Sequence, residues 1–213
     1  MDFPRLYAIL DADVVSARGL TALDVVGAWL SAGVRLIQLR AKNMDGGPFL
    51  DLADRVQQRV QQAGGSLIIN DRADIARMSG AAGVHVGQTD LTPRDVRTVI
   101  GRERVLGLST HDSDQLVAGT REDVSYLAIG PVFPTATNRK TGKAVDPAVG
   151  LEGVHAAAAR LTGSRLPLVA IGGITLERAP EVLAAGAASV AVISDLLVGT
   201  PESRARAFVT ALT

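Results

Sequence analysis

The segment LVAIGGITLERAPEVLAAGAASVAVIS, residues 168–194, contains one complete β–α–β unit. Two short apolar runs, Leu168–Ile171 and Ser189–Val192, have the length of buried strands. Between them, Leu176–Ala185 is rich in Ala and Leu and predicts a helix. Gly186 follows this helix at the position where a left-handed terminal residue is expected. A strand, a helix and a second strand in this order indicate parallel strands joined by a right-handed crossover.

The same alternation extends through the rest of the chain. The other predicted strands are Leu6–Leu10, Val34–Leu39, Ser66–Asn70, Gly83–Val86, Val105–Leu108 and Ser125–Ile129. The other predicted helices are Thr21–Ala32, Pro48–Ala63, Ala73–Ser79, Pro93–Ile100, Ser113–Gly119, Gly150–Leu161 and Glu202–Leu212. The strands are continuously apolar, as expected for parallel strands that are covered on both sides. Eight such units predict one α/β domain over residues 1–213, a single (β/α)8 TIM barrel with a parallel eight-stranded sheet. An open, doubly wound sheet is the main alternative.

Boundary residues support these helices. Thr92 followed by Pro93 predicts an N-cap with Pro in the first turn of the next helix. Gly33, like Gly186, lies where a helix is expected to end. Trp29, on the first helix, is interpreted as a core residue.

The composition argues against several classes of partner. Lys and Arg total 22, as do Asp and Glu, and aromatic residues make up only 3% of the chain. We therefore expect no nucleic acid and no membrane as partner. The absence of Cys excludes disulfides and a Cys nucleophile and fits a reducing compartment. The N-terminal residues lack a signal-peptide pattern, so the expected location is the cytoplasm.

Polar residues follow the second predicted strand. Gln38, Arg40 and Lys42 lie at alternate positions, which places them on one side of an extended chain. An amide and two cations together predict an anion site, and Arg is suited to bidentate contact with phosphate oxygens. A solvated basic edge is the alternative interpretation.

Two carboxylates follow the next two strands. Asp71 comes after the third strand, next to Asn70, and Asp90 comes shortly after the fourth. Adjacent strands lie about 4.8 Å apart, so both carboxylates can share one hard cation such as Mg²⁺. The alternative is that each Asp caps a neighbouring helix.

The fifth strand is followed by Ser109 and His111. No G-x-S-x-G motif is present, which argues against a hydrolase, and Ser109 is interpreted as a hydrogen-bonding group. His85, inside a short strand, is interpreted as a core histidine with its hydrogen bonds satisfied. His155, on a helix, is predicted to be solvated.

Three loops are candidates for phosphate binding. Gly172 and Gly173 follow strand seven, and Ile193-Ser194 follows strand eight, where barrels commonly bind phosphate. A plain tight turn is the alternative. After Gly130 a loop much longer than usual carries Thr, Arg and Lys residues and predicts a lid or ligand loop. A disordered surface insertion is the alternative there.

Seven segments in register resemble the thiamine-phosphate synthase family. They are QLRAK (38–42), IINDRADIA (68–76), GVHVGQTDL (83–91), GLSTH (107–111), IGPVFPTAT (129–137), VAIGGIT (169–175) and VAVIS (190–194). The resemblance implies a transferase that joins hydroxymethylpyrimidine diphosphate to a thiazole phosphate and releases pyrophosphate. In this family the diphosphate leaves first, and the thiazole nitrogen captures the resulting cation.

The resemblance also implies residue roles. Arg40, Lys42 and Ser109 would be catalytic, and Asp71 and Asp90 would bind Mg²⁺. The pyrimidine diphosphate would contact Gln38, Arg40, Lys42, Asn70, Ser109 and Asn138. The thiazole phosphate, plain or carboxylated, would contact Thr135, Ala136, Thr137, Gly173, Ile193 and Ser194. The partners would be small phosphorylated molecules, and the chain could form a homodimer.

The chain departs from the family pattern at one position. The family usually has Lys after T-x-T, whereas this chain has Asn138. Arg139, Lys140 or Lys143 are candidates to supply the missing charge, and weakened activity or a changed substrate are the alternatives. Two other functions stay open: a thiazole tautomerase that uses His111 as acid and base, and a barrel that binds a thiamine precursor without chemistry.

Overall fold

The structure, a computed structural model, describes residues 3–135 and 147–213. Its strands are β1 (Leu6–Asp11), β2 (Leu36–Arg40), β3 (Ser66–Asn70), β4 (Gly83–Val86), β5 (Val105–Thr110), β6 (Tyr126–Ile129), β7 (Leu168–Ile171) and β8 (Ser189–Val192). They pair in chain order in one parallel sheet, and β8 closes onto β1. The closed sheet confirms the predicted (β/α)8 barrel and rules out the open doubly wound alternative.

Helices follow the strands in the alternation that the sequence predicts. In the described ranges they are α1 (Ala12–Ser16), α2 (Ala22–Ser31), α3 (Gly46–Gln62), α4 (Ala73–Met78), α5 (Pro93–Ile100), α6 (Ser113–Gly119), α7 (Gly150–Arg160), α8 (Ala179–Ala184) and α9 (Pro201–Ala211). A 3₁₀ turn covers Ser194–Leu197. The short helix α1 and this turn were not predicted, because neither is long enough to show a helical period.

The predicted helix boundaries hold to within one residue at most ends. Thr92 accepts a hydrogen bond from the Asp95 N–H and so caps α5, with Pro93 in the first turn. Gly33 and Gly186 have φ values of 100° and 107° just beyond α2 and α8. The start of α8 was predicted three residues too early, at Leu176. The Leu176 N–H instead donates to the Asp195 carboxylate at 3.0 Å. This contact joins distant segments, and no local pattern encodes it.

Apolar residues form two layers, one between the sheet and the helices and one inside the barrel. Trp29 is fully buried in the outer layer, and His155 is exposed, as predicted. Inside the barrel, Leu36 and Ile68 belong to the inner layer. Two residues further along the same strands, Gln38 and Asn70 line an open cavity. Because side chains two residues apart share a face, the inner face of β2 and of β3 changes from apolar inside the barrel to polar at the cavity.

None of the helices in the described residues combines the length and the hydrophobicity that crossing a lipid bilayer requires.

Candidate active site

The carboxyl ends of the strands surround a cavity of about 600 Å³. Every predicted site residue that the structure describes lines it: Gln38, Arg40, Lys42, Asn70, Asp71, Asp90, Ser109, Thr135, Gly173, Ile193 and Ser194. The predicted contacts Ala136, Thr137 and Asn138, and the candidate cations Arg139, Lys140 and Lys143, lie outside the described residues. Residues at or just beyond the carboxyl ends of seven strands, β2 to β8, thus meet in one space.

Arg40 is held in place by a carboxylate that sequence reasoning missed. Asp11 stands opposite Arg40 in the β1–β2 register, and its Oδ2 accepts a hydrogen bond from Arg40 Nη1. Asp11 is 2% exposed. Its Oδ1 also accepts the N–H groups of Asp13 and Val14 at 3.1 Å, which caps α1. Because a guanidinium has five N–H donors, Arg40 keeps others for an anion in the cavity.

We expect Asp11→Asn to destabilise the fold and to loosen Arg40. The amide oxygen can still cap α1, but the charge that faces Arg40 is lost. Loss of a hydrogen bond to a charged group should lower the free energy of unfolding by about 1.5–3 kcal/mol, measured by urea denaturation. Asp13→Asn is the matched control, since the exposed Asp13 side chain accepts a hydrogen bond from Asn43 at the surface and surface changes usually stay within about 0.5 kcal/mol. Equal losses in the two variants would contradict a special role for Asp11.

Asp71 and Asp90 face each other across the mouth of β3 and β4. Burial raises the pKa of the Asp71 carboxyl, the nearby Lys42 ammonium lowers it, and the neighbouring Asp90 carboxylate raises it further, with a net increase. Lys42 Nζ lies 3.2 Å from Asp71 Oδ2. Asp71 also has a φ of 61°, which is uncommon for any residue but Gly and is often seen at functional sites.

The helix-cap interpretation of these two carboxylates is wrong. The N-cap of α4 is Arg72, with no side-chain hydrogen bond to the helix. Thr92 caps α5. Asp90 Oδ2 instead accepts the N–H of Gly87 at 2.8 Å, which closes the turn after β4.

The donor chemistry of this pair fits a hard divalent cation. The Asp90 carboxylate raises the pKa of Asp71, so positive charge between the two would stabilise the ionised pair, and Lys42 already supplies part of it. Over residues 3–135 and 147–213, no group of three or more His, Asp or Glu side chains is arranged to hold a metal ion. Two carboxylates with further positions left for water and phosphate correspond to the usual protein ligation of Mg²⁺.

The two glycines after β7 permit a close approach between loops. Gly172 and Gly173 have φ values of 103° and 64°. A Cβ on Gly172 would lie 2.6 Å from the Pro131 Cα, and one on Gly173 would lie 2.9 Å from the Phe133 carbonyl oxygen. Phe133 N also donates to the Gly172 carbonyl at 2.9 Å. The glycines therefore bring the loop after β6 against the loop after β7, which a plain tight turn would not require.

Two cations that the sequence analysis did not single out stand at this side of the cavity. Arg18 Nη1 donates to the Ser194 carbonyl oxygen at 3.1 Å. The Arg178 guanidinium lies 4.5 Å from the centre of the Phe133 ring. Both line the cavity together with Gly173 and Ser194. They add positive charge next to the predicted phosphate loops.

The interpretation of His85 was only partly right. Its two ring nitrogens do have partners: Nδ1 lies 2.8 Å from Tyr126 Oη and Nε2 lies 2.8 Å from Ser109 Oγ. However, His85 also lines the cavity, as do Tyr7 and Ser109. Burial lowers the pKa of His85 to about 4 although Asp90 opposes this, so the ring is neutral near pH 7. Residues two apart on a strand share a face, and Gly87 lines the cavity. Counting back two residues from Gly87 would therefore have placed His85 on the inner face of the barrel.

Taken together, these features define a class: a (β/α)8-barrel enzyme that acts on phosphorylated small molecules. Residues 6–196 match the family described as thiamine monophosphate synthase. The chain is 44% identical over 210 residues to the thiamine-phosphate synthase of Koribacter versatilis, covering 98% of this chain and 95% of that one. It is 46% identical over 199 residues to the thiamine-phosphate synthase of Mycolicibacterium smegmatis, covering 89% and 84%.

A solved structure agrees with these relatives. Thiamine phosphate pyrophosphorylase from Pyrococcus furiosus superimposes with a TM-score of 0.85 at 25% identity, covering 98% of this chain and 95% of that chain. The chain belongs to the thiamine monophosphate synthase family. The resemblance seen in the sequence is therefore confirmed.

Proposed function

We propose that this protein is a thiamine-phosphate synthase, which condenses 4-amino-2-methyl-5-hydroxymethylpyrimidine diphosphate with 4-methyl-5-(2-phosphoethyl)thiazole or its carboxylated form. The products are thiamine phosphate and pyrophosphate, and the carboxylated thiazole would in addition lose its carboxyl group as CO2. One observation carries the proposal: an amide with two cations, a carboxylate pair and the loops after β7 and β8 all line one cavity. Each group matches one part of the two substrates.

The diphosphate end of the pyrimidine substrate needs positive charge. Arg40 and Lys42 would bind its oxygens, with Asn70 as a neutral hydrogen-bond donor beside them. When the C–O bond breaks, the electron pair stays on the diphosphate, so these cations stabilise the charge that develops on the leaving group. The thiazole nitrogen then donates its lone pair to the pyrimidine methylene carbon, and no strong general base is needed.

Asp71 and Asp90 would hold Mg²⁺. A bound Mg²⁺ supplies charge neutralisation for the diphosphate oxygens. Lys42 is the present partner of Asp71, and it would turn from Asp71 toward the diphosphate when substrate binds. The carboxylates would thereby exchange one positive partner for another.

The pyrimidine ring would enter the deeper part of the cavity. Gln38 lines this region and offers its amide to the ring, and the side chains of Tyr7 and His85 line it as well. The thiazole phosphate would lie at the opposite side, against Gly173, Ile193, Ser194 and Thr135. Backbone N–H groups near glycine can approach a phosphate closely. For Ala136, Thr137 and Asn138, the roles implied by the resemblance stay predictions.

The proposal is tested by mixing the purified full-length chain with both precursors, with and without Mg²⁺. Thiamine phosphate and pyrophosphate should appear in equal amounts and only when Mg²⁺ and both precursors are present. Release of pyrophosphate without coupling, or no turnover at all, would contradict the proposal. No turnover would favour the non-catalytic precursor-binding barrel.

The tautomerase alternative is tested with His111. Its Nδ1 lies 2.9 Å from the Gly130 carbonyl oxygen, so Nδ1 carries a proton and donates to it. A His111→Gln variant of a tautomerase would lose isomerisation of the thiazole phosphate, measured alone by NMR. Isomerisation of the thiazole by the unmodified chain, with no coupling to the pyrimidine, would overturn the synthase assignment.

We also propose a cytoplasmic location. The absence of Cys fits a reducing compartment.

A further inference from the structure

A continuous chain of hydrogen bonds joins five side chains inside the barrel. Gln38 Nε2 donates to Tyr7 Oη over 2.9 Å, and Tyr7 Oη contacts Tyr126 Oη over 3.1 Å. Tyr126 Oη lies 2.8 Å from His85 Nδ1, and His85 Nε2 lies 2.8 Å from Ser109 Oγ. Gln38 and Ser109, at the two ends, both line the cavity, so one ligand can touch both ends.

The donors in this chain must all point the same way. Each hydroxyl has one hydrogen and can donate once. Tyr7 Oη accepts from Gln38, and its other partner in the described residues is Tyr126, so the buried Tyr7 hydrogen finds an acceptor only in Tyr126 Oη, and the Tyr126 hydrogen is then directed to His85 Nδ1. That nitrogen is then unprotonated, so the neutral ring carries its proton on Nε2 and donates it to Ser109 Oγ.

The two ends of the chain consequently present opposite groups to the cavity. In the described part of the molecule, the Ser109 hydroxyl hydrogen has no acceptor and Gln38 Oε1 has no donor. A ligand therefore meets an acceptor at Gln38 and a donor at Ser109. Turning the Gln38 amide by half a rotation would reverse every bond and would make Ser109 an acceptor.

We propose that the ligand group bound at Gln38 sets the direction of this chain and thereby the hydrogen-bonding role of Ser109 at the other end. The inference rests on the proposed function. The exocyclic amino group of the pyrimidine donates to Gln38 Oε1, which keeps Ser109 a donor to the diphosphate. Tyr7, Tyr126 and His85 are positioning residues, because they act through Ser109.

The chain assists the departure of the diphosphate without transferring a proton. As the C–O bond breaks, its electron pair stays on the diphosphate oxygen, and Ser109 keeps its hydrogen and donates a hydrogen bond. This bond strengthens as negative charge develops. A reversed chain would instead present lone pairs of the Ser109 oxygen to the anion, which is repulsive.

The direction is measurable without substrate or activity. In ¹⁵N-labelled full-length protein, long-range ¹H–¹⁵N spectra distinguish protonated from unprotonated ring nitrogens, and only three His residues are present. His85 is assigned by comparison with His85→Gln. We expect Nε2 to be protonated and Nδ1 unprotonated. The opposite tautomer in the unmodified protein would overturn the proposed direction.

Gln38→Glu should reverse the tautomer of His85 from a distance. A carboxylate can only accept, so Tyr7 must donate to it, Tyr126 to Tyr7 and His85 Nδ1 to Tyr126. The control is Gln88→Glu, because Gln88 Nε2 bonds to the Ser109 carbonyl oxygen at 2.6 Å, outside the chain. It adds the same charge and should leave the tautomer unchanged. An unchanged tautomer in folded Gln38→Glu, or reversal in both variants, would overturn the proposal.

Tyr7→Phe provides a second test if Gln38→Glu does not fold. The ring is retained but the link between Gln38 and Tyr126 is broken, so both tautomers of His85 should become populated. A single Nε2-protonated tautomer in this variant would show that the chain does not set the ring, which would overturn the proposal.

Kinetics then separate this inference from the proposed function. If the protein couples its substrates, Tyr7→Phe should lower kcat about tenfold, the effect of one weakened hydrogen bond. It should change the KM of the pyrimidine diphosphate much less. In a Ser109→Ala background, the same change should cost no further activity. Additive losses would overturn the route through Ser109, while the NMR result would stand even if the reaction were a different one.

Discussion

Asp71→Asn and Asp90→Asn are each expected to reduce Mg²⁺-dependent coupling by about 10²–10³-fold, as for other groups that stabilise a transition-state charge. Either change removes one of the two carboxylates that would hold the cation, while the shape of the side chain is kept. Asn is the appropriate replacement for Asp71 because its φ of 61° is tolerated by Asn better than by Ala. Thiazole phosphate binding should persist, since its predicted loops follow β6, β7 and β8.

The measurements for these variants are the coupling rate against Mg²⁺ concentration and the binding of Mn²⁺ in the presence of pyrophosphate, followed by electron paramagnetic resonance. Asp74→Asn is the control, because exposed Asp74 pairs with Arg72 at the surface and lies only three residues from Asp71. Unaltered coupling or unaltered Mn²⁺ binding in Asp71→Asn or Asp90→Asn would make the metal assignment wrong.

Gly173→Ala is expected to raise the KM of the thiazole phosphate about 10- to 100-fold, which corresponds to about 1.5–3 kcal/mol for a lost hydrogen bond to a charged group. The new Cβ would lie 2.8 Å from the Phe133 Cβ and 2.9 Å from the Pro134 carbonyl oxygen, so the two loops must separate. Binding of pyrophosphate with Mg²⁺ should change less, because its predicted ligands other than Asn138 lie on or just after β2, β3, β4 and β5.

The control for Gly173 separates backbone strain from close approach. Gly163 also has a positive φ, 85°, but a Cβ there would meet nothing within 4 Å. Gly163→Ala should therefore share the conformational cost, about 1–2 kcal/mol, without the steric one. Both variants should show a lower midpoint of thermal unfolding, and only Gly173→Ala should show the higher KM. A higher KM in both variants, or in neither of them, would contradict phosphate binding at this turn.

Much of the site could be predicted because barrel chemistry collects at one end of each strand. Gln38, Arg40 and Lys42 share a face through the period of two, and their positions at the cavity follow from β2 alone. Asp71 and Asp90 are one βα unit apart, so their proximity follows from the strand order. Their functional roles stay predictions until the variants are measured.

Other features depend on distances across the barrel, which local patterns do not encode. Tyr7 and Tyr126 are separated by 119 residues, yet their hydroxyls are 3.1 Å apart. His85 is read from its neighbours as an ordinary core residue, because nothing near it in the chain indicates Tyr126 or Ser109. Lys42 likewise gains its contact with Asp71 only when β2 and β3 lie side by side.

The sequence by itself determined the eight βα units, their parallel order and the polar residues at the strand ends. It could do so because strand length, the alternation of side chains and glycine turns are local properties. Only the tertiary structure decided that Asp11 holds Arg40 and that Gln38 connects to Ser109 through two tyrosines and a histidine. These contacts arise from the register of neighbouring strands and from closure of β8 onto β1, which bring distant residues together around one interior.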